Sequence, residues 1–458
     1  MIVDECFEKY FKVGVKQGCY MKSIVLKDFI DSRALGNRQK SIIALCMALM
    51  ILDGYDIQAM AYAAPLIISD WQIDKTMLGV VFSSSLVGLF FGSLLISNLS
   101  DRFGRRIILL ISTLLFSIFM LVTPMAHNLE QLAILRFVTG IFLGGIMPNA
   151  MAYCAEIVPS KYRVFTMIMI SSGFTIGAML GGFVATWLKA YGWQAIFYFG
   201  GIVPLILFVI MFLALPESLQ FLASKPNNES KIKSILQRFY PSATISNDTT
   251  IILPKNETVK ASPIELFKEN RSFFTITIWI ASMMNLMSLY FLSSWLPTLG
   301  MEAGLTTTQA LMIGSTLQFG GTVGSLLMGT RINKLGFYKV LIPIFIVAAL
   351  SVAMIGFSAG SIVVLFIVVF IAGFTVVGGQ PTLNALSAER YPTLLRTTGV
   401  GWSLGIGRIG SMIGPVIGGL LSKSLTLSTL FLFAAVPSIV VVIMMIMQAR
   451  HPGSKSEL

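Results

Sequence analysis

The sequence predicts an all-α membrane protein of twelve spanning helices, arranged as two parallel six-helix repeats. Three observations carry that expectation. The chain is 55% hydrophobic and only 12% charged, with a mean hydropathy of +0.81, about half the charged fraction of a soluble domain. Its apolar runs are long enough to cross a bilayer, which takes roughly 20 residues. Finally, landmarks of the first half recur in the second at an offset of 232–233 residues. No strand-like alternation recurs, which sets a β-barrel aside.

Residues 1–40 read as a cytoplasmic tail. Its first 20 residues lack the apolar core and cleavage site of a signal peptide. They are expected to be a dispensable upstream extension, with Met21 as the natural start. Six spans follow at 41–68, 77–98, 107–126, 131–154, 164–188 and 194–214, forming a first half over 41–215. Residues 216–272 are rich in Lys, Asn, Ser and Pro and too polar to insert, so they form a central loop. Spans at 273–299, 308–330, 339–358, 361–386, 397–421 and 427–448 complete a second half over 273–448, before a tail at 449–458. An even number of spans puts both termini on one side. That side carries 28 of the 33 Lys and Arg residues, against Lys75, Lys189 and Lys423 opposite, with Arg136 and Arg408 inside spans. The positive-inside rule places the termini in the cytoplasm of an inner (plasma) membrane. The net charge of +12 is therefore topology and lipid contact, not a nucleic-acid footprint. Cys6, Cys19, Cys46 and Cys154 lie in the tail or inside spans, which argues against a disulfide framework.

The repeat rests on more than shared glycines. At +232, Gly88, Gly92 and Ser93 fall on Gly320, Gly324 and Ser325, and Asp101-Arg102-Phe103-Gly104 falls on Asn333-Lys334-Leu335-Gly336. At +233, Glu156, Pro159 and Arg163 fall on Glu389, Pro392 and Arg396. Six spans per repeat insert both halves the same way round, the arrangement of the major facilitator superfamily. The loop Asp101-Arg102-Phe103-Gly104-Arg105-Arg106 resembles that superfamily's motif between spans 2 and 3, with Ser97 in place of the usual leading glycine. Such a loop can clamp helix ends in one state and release them in another, and its glycine permits the tight turn. Leu215-Pro216-Glu217-Ser218 resembles the family's exit from span 6. Glycines spaced by four, as in Gly173/Gly177/Gly181 and Gly410/Gly414/Gly418, read as packing and rocking seams rather than ligand sites.

The polar residues inside spans are the candidate machinery, because ionisable groups there are costly and mark pathways, proton relays or ion partners by default. Asp53 and Asp56, near the middle of span 1, are three residues apart and point to nearly the same face. Asn285, the repeat mate of Asp53, lies near the midplane with Gln318 and Arg408, and Arg136 sits about five residues inside the outer edge of span 4. Transporter sites lie at this depth, between the repeats. Arg408 is expected to anchor a substrate carboxylate through its planar fork. The aspartates are expected to carry protons, with helix packing or pairing with Arg136 as the alternative. Neither His127 nor His451 is placed for a relay. Trp295, Asn149, Gln380 and Asn384 could add contacts, although Trp295 fits an interfacial aromatic belt equally well. Glu156 with Arg163, and Glu389 with Arg396, read as structural clasps.

With these residues assembled, the chain from about residue 24 onward resembles the aromatic acid/proton symporter branch of the superfamily. The most specific element is Asp53-Gly54-Tyr55-Asp56 followed by Ala64-Pro65. Leu135-Arg136-Phe137, Met147-Pro148-Asn149, Ser294-Trp295-Leu296-Pro297-Thr298, Gln318-Phe319-Gly320-Gly321 and Gly405-Ile406-Gly407-Arg408 support it. The resemblance implies that Asp53 and Asp56 are needed for proton-coupled uptake and that Arg136, Arg396 and Arg408 are important basic positions. Asn333, where the family often has Asp, argues against a symmetric gating role for the second-half loop.

The expected activity is import of an aromatic carboxylate with protons, by alternating access. Asp53 and Asp56 are the coupling residues, and Arg136, Arg408, Asn285 and Gln318 the substrate residues. The gating residues are Asp101, Arg102, Gly104, Arg105, Arg106, Glu156, Arg163, Glu389 and Arg396. No cofactor is expected beyond the proton, and the expected partners are a small organic acid and the bilayer, with a monomer as the working unit. No nucleophile–base set, metal cluster or nucleotide loop argues for an enzyme or for ATP drive. The alternatives are transport of an aliphatic (di)carboxylate such as muconate, export, or a non-transporting sensor of aromatic acids.

Overall fold

All twelve expected spans are helices in the computed structural model, which describes residues 23–225, 228–241, 250–252, 263–269, 271–358, 360–392 and 395–451. The spans are α1 (Asn37–Trp71), α2 (Lys75–Ile96), α3 (Arg105–Met125), α4 (Leu129–Ile157), α5 (Ser160–Tyr191) and α6 (Trp193–Ala214), then α7 (Ser272–Glu302), α8 (Thr307–Ile332), α9 (Phe337–Ile355), α10 (Ile362–Arg390), α11 (Thr398–Ser422) and α12 (Leu427–Arg450). The expected extension at residues 1–20 lies outside the described residues.

Several helices outrun their apolar runs, because a helix does not stop where lipid stops. α1 starts at Asn37, where the Gln39 side chain accepts from the Gly36 amide at 2.8 Å and satisfies one of the unpaired donors at the helix start. α4 is broken at Gly145, between segments Leu129–Gly144 and Ile146–Ile157. Pro148 lacks a backbone donor, and the Asn149 amide turns back to the Gly145 carbonyl at 2.7 Å. α10 carries a π-helical turn at Gly373–Val377, three residues before Gln380, a distortion common at functional sites.

The repeat is visible in the backbone. Gly104 and Gly336, paired by the +232 offset, close the α2–α3 and α8–α9 turns with φ of 101° and 82°, a region L side chains avoid. Within each half the glycine seams join helix pairs. A Cβ on Gly54 would stand 1.9 Å from the Phe174 carbonyl oxygen of α5, and one on Gly177 would stand 1.8 Å from that of Ile51. Gly410 meets Met283 of α7 in the same way. These seams join helices within one half, not across the two halves.

Four contacts that join the halves lie toward the ends of the spans away from the termini. Lys75 pairs with Glu302 at 2.5 Å, and Lys189 donates to Thr308. Ser83 donates to the Met412 carbonyl at 2.6 Å, and Ser315 to that of Met179 at 2.7 Å. The halves are thus pressed together on the far side.

On the terminus side the polar segments fold back onto the first half. A helix at Leu26–Asp31 buries Leu26, Phe29 and Ile30, and Asp31 receives the Ser160 amide and hydroxyl at 2.7 and 2.6 Å. Burial opposes ionisation of Asp31, but those hydrogen bonds, with Arg163 and Lys27 nearby, hold its pKa below the usual value. The central loop contributes an amphipathic helix, Glu229–Phe239, that buries Ile232, Ile235, Leu236 and Phe239. A departure from an all-α chain is small: Ser23–Val25 pairs in parallel with Thr250–Ile252.

Candidate transport site

One turn of α1 turns four residues to four neighbours. Gly54 lets α5 approach. Tyr55 donates to the Ile196 carbonyl of α6 at 2.8 Å. Asp56 faces α4, and Asp53 faces the second half. Three residues rotate a helix by about 300°, leaving the two carboxylates about 60° apart. At this point in the bundle that angle separates two environments.

Asp56 is fully buried and so is its partner, Arg136. The guanidinium donates to both carboxylate oxygens at 2.9 Å and to the Asp56 backbone carbonyl at 3.1 Å. Ser85 and the Phe197 ring, 5.7 Å from the guanidinium carbon, complete its surroundings. A bidentate pair of this kind is geometrically specific, and it neutralises both charges inside the first half. Pairing with Arg136, the alternative given for the aspartates, is thus the arrangement Asp56 adopts, and the Arg136 guanidinium is occupied by that pairing. The physical reason is desolvation: a buried charge without a partner is costly, so α4 supplies one.

Asp53 is different. It is 3% exposed, and its Oδ1 has no hydrogen-bond partner. Arg408 of α11 and Tyr290 of α7 lie within its electrostatic reach. No ion pair to Arg408 closes among the described residues. A carboxylate from one half and a guanidinium from the other therefore lie within electrostatic reach without forming an ion pair among the described residues. A cavity of about 10 Å³ is lined by Gln58, Ser85, Arg136, Tyr290 and Ser294 among others, about enough for one water molecule.

Asn285 and Gln318 stand where the sequence puts them but are already engaged within the second half. The Asn285 amide donates to Gln380 Oε1 at 2.9 Å and to the Val376 carbonyl in the π-helical turn at 3.1 Å, while its Oδ1 is buried without a partner. Gln318 donates to Ser293 at 3.0 Å. Trp295 is fully buried, not in a belt: its indole donates to the Pro415 carbonyl at 2.9 Å and its ring meets Phe82 of the first half edge-on.

The terminus-side loop of the first half forms a clasp, though not the one expected. Arg105 pairs with Glu156 at 2.5 Å, and Ser218 donates to the same carboxylate. Glu217 accepts the Arg106 amide at 3.1 Å, at the start of α3, where helix-terminal amides favour negative charge. Arg163 lies within electrostatic reach of Asp31 and forms no ion pair with Glu156 among the described residues. Arg102 is exposed, and the Asp101 side chain lies outside the described residues. The mirrored clasp does not form: Glu389 and Arg396 are both exposed and form no ion pair among the described residues. The +232 offset gives the reason, since it places Phe337 opposite Arg105, so the second half lacks that cation.

Tyr290, Ser294 and Gln58 were missed as cavity residues. The same offset links two of them, because it pairs Gln58 with Tyr290. Tyr62, whose hydroxyl donates to the Ala178 carbonyl at 2.9 Å, is paired with Ser294. Following the repeat beyond Asp53 and Asp56 by about two helical turns finds them.

Two six-helix repeats with ionisable groups confronting one another at mid-depth define a secondary transporter, not an enzyme. The chain belongs to the Major Facilitator Superfamily, whose model matches residues 46–403 and, in an overlapping match, 278–458, and within it to the aromatic acid/proton symporter branch. It is 35% identical to the 4-hydroxybenzoate transporter PcaK of Pseudomonas aeruginosa, over 85% of this chain and 88% of that protein. It is also 35% identical to the gallate transporter of Pseudomonas putida, over 91% and 93%. The benzoate transport protein of Acinetobacter baylyi is 32% identical over 91% of each. Among solved structures, the xylose transporter XylE from Escherichia coli superposes with a TM-score of 0.70 at 16% identity, covering 91% of this chain and 98% of that one.

Proposed function

We propose that the chain imports an aromatic carboxylate together with protons, by alternating access across the inner membrane, with both termini in the cytoplasm. The observation that carries the reading is the unlocked confrontation of Asp53 with Arg408 across the two halves, while Asp56 is separately neutralised by Arg136. In this scheme Arg408 takes the substrate carboxylate, and Asp53 takes the proton. Binding of the anion beside Arg408 withdraws that cation's support from the Asp53 carboxylate and favours its protonation. With both charges satisfied, the interface can rock. The resemblance to transporters of 4-hydroxybenzoate, gallate and benzoate supports the substrate class, and the distribution of Lys and Arg supports the orientation. In this scheme the far-side contacts between the halves close the outer path while the substrate leaves toward the cytoplasm. The proton is the coupling ion, no other cofactor takes part, and a single chain is the working unit.

Each pH unit supplies roughly 1.4 kcal/mol per proton, enough for about tenfold accumulation in one-to-one symport. The test is uptake by proteoliposomes containing only this protein, with an imposed inward proton gradient and a panel of labelled aromatic and aliphatic acids. Gradient-driven accumulation of a hydroxybenzoate-type acid is expected. Accumulation of aliphatic acids alone would replace the substrate class, and binding without net uptake would make the protein a sensor.

A further inference from the structure

On the terminus side of the first half, a groove of about 920 Å³ runs between the start of α1, the end of α6 and the amphipathic helix Glu229–Phe239. Four cations border it: Arg38, Arg106, Lys231 and Arg238. Lys231 and Arg238 share one edge of their helix with Ser234, at spacings of three and four residues. The carboxylate on this wall, Glu217, already accepts the backbone amides of Arg106 and Ser218, at 3.1 and 2.8 Å. Arg38, Lys231 and Arg238 are exposed and make no ion pair among the described residues. Arg106 gives one guanidinium nitrogen to the Phe212 carbonyl at 2.8 Å, while its Nε is buried without a partner.

The groove also has an apolar side that opens outward. At the end of α6, Leu213 lines the groove and is 80% exposed, and its chain neighbour Phe212, 55% exposed, continues the apolar surface beyond the groove's edge. Topology alone accounts for Arg38 and Arg106, which flank spans. It does not account for a helix, folded back from the central loop, that carries Lys231 and Arg238 to the same groove. We propose that this groove binds an anionic phospholipid, its phosphate among the four cations and an acyl chain along Phe212 and Leu213. A soluble anion could use the cations but would leave that apolar wall unused. Basic pockets beside membrane helices recognise acidic headgroups by this combination. The inference is independent of which acid the transporter carries.

The experiment measures lipid binding to the full-length protein in neutral detergent by native mass spectrometry. The probes are dioleoylphosphatidylglycerol, dioleoylphosphatidylethanolamine and inorganic phosphate. Preferential retention of phosphatidylglycerol is expected, resisting competition by inorganic phosphate at equal concentration. The variant Lys231→Gln/Arg238→Gln, altered at two exposed positions, should bind it roughly 30-fold more weakly, about fivefold for each charge removed. A size-exclusion profile matching the parent checks that the variant folds. Equal retention of the two lipids, unchanged binding by the variant, or displacement by inorganic phosphate would each overturn the proposal.

Discussion

Replacing Asp56 with Asn removes one charge from a fully buried pair. Arg136, fully buried, then loses the counter-charge to which it gives two hydrogen bonds of 2.9 Å. Breaking a buried pair by removing one partner costs about 3–5 kcal/mol, because the other charge stays desolvated. Replacing both members with apolar residues of similar size, Asp56→Leu with Arg136→Met, is by contrast expected to be neutral or mildly stabilising. With Asp56→Leu and Arg136→Met as the single variants, each costing about 3–5 kcal/mol, the double-mutant cycle should show a coupling of about 6–10 kcal/mol, far beyond the 0.3–0.5 kcal/mol tolerance for independent sites. A twelve-helix protein does not unfold in one step, so the readout is the thermal midpoint of the purified protein in detergent. If one half unfolds as a unit of about 200 residues, 3–5 kcal/mol corresponds to a fall of roughly 6–20 °C for each single variant. The double variant should return to within a few degrees of the parent. Singles whose losses simply add in the double variant would refute the ion-pair argument. The double variant also separates the two aspartates: it should still accumulate substrate down a proton gradient, and a stable double variant without accumulation would put Asp56 in the proton path.

Asp53→Asn should abolish gradient-driven accumulation in proteoliposomes while substrate exchange persists; full accumulation would remove Asp53 from the mechanism. Arg408→Lys keeps the charge but loses the fork, so the substrate Kd should rise about tenfold, and an unchanged Kd by calorimetry would sink the anchor assignment. Gly54→Ala drives a methyl into the Phe174 carbonyl, where the Cβ would stand at 1.9 Å. It should cost about 1–3 kcal/mol and lower the thermal midpoint, whereas Gly329→Ala, with nothing within 4 Å of the added carbon, should be neutral or slightly stabilising.

The spans and the repeat were legible because both are written in the chain itself, as runs of apolar residues and as a fixed offset. The site was legible by type and depth but not by partner. Asp53 and Asp56 look alike in sequence, and only the direction in which α4 and α11 pack distinguishes the paired carboxylate from the open one. Arg136 illustrates the same gap: a guanidinium inside a span reads as a ligand for substrate until its neighbour is known. The clasp at Glu156 was assigned to Arg163 because Arg163 is near in sequence, whereas Arg105 reaches it across the bundle at 2.5 Å. The missing clasp in the second half could have been read, because Phe337 stands in the repeat where Arg105 would be needed. The amphipathic helix at Glu229–Phe239 was hidden inside a segment judged by its average polarity.

The Asp56–Arg136 pair also has a consequence for how the chain is made. Its two members are 80 residues apart, so at about 5–20 residues per second the ribosome delivers Arg136 roughly 4–16 s after Asp56. During that interval the first span must leave the translocation channel with carboxyl groups at its middle and no cation to meet them, an arrangement that disfavours release into lipid. The first helix is therefore expected to linger at the channel until the fourth arrives, and to enter the bilayer as part of a pair.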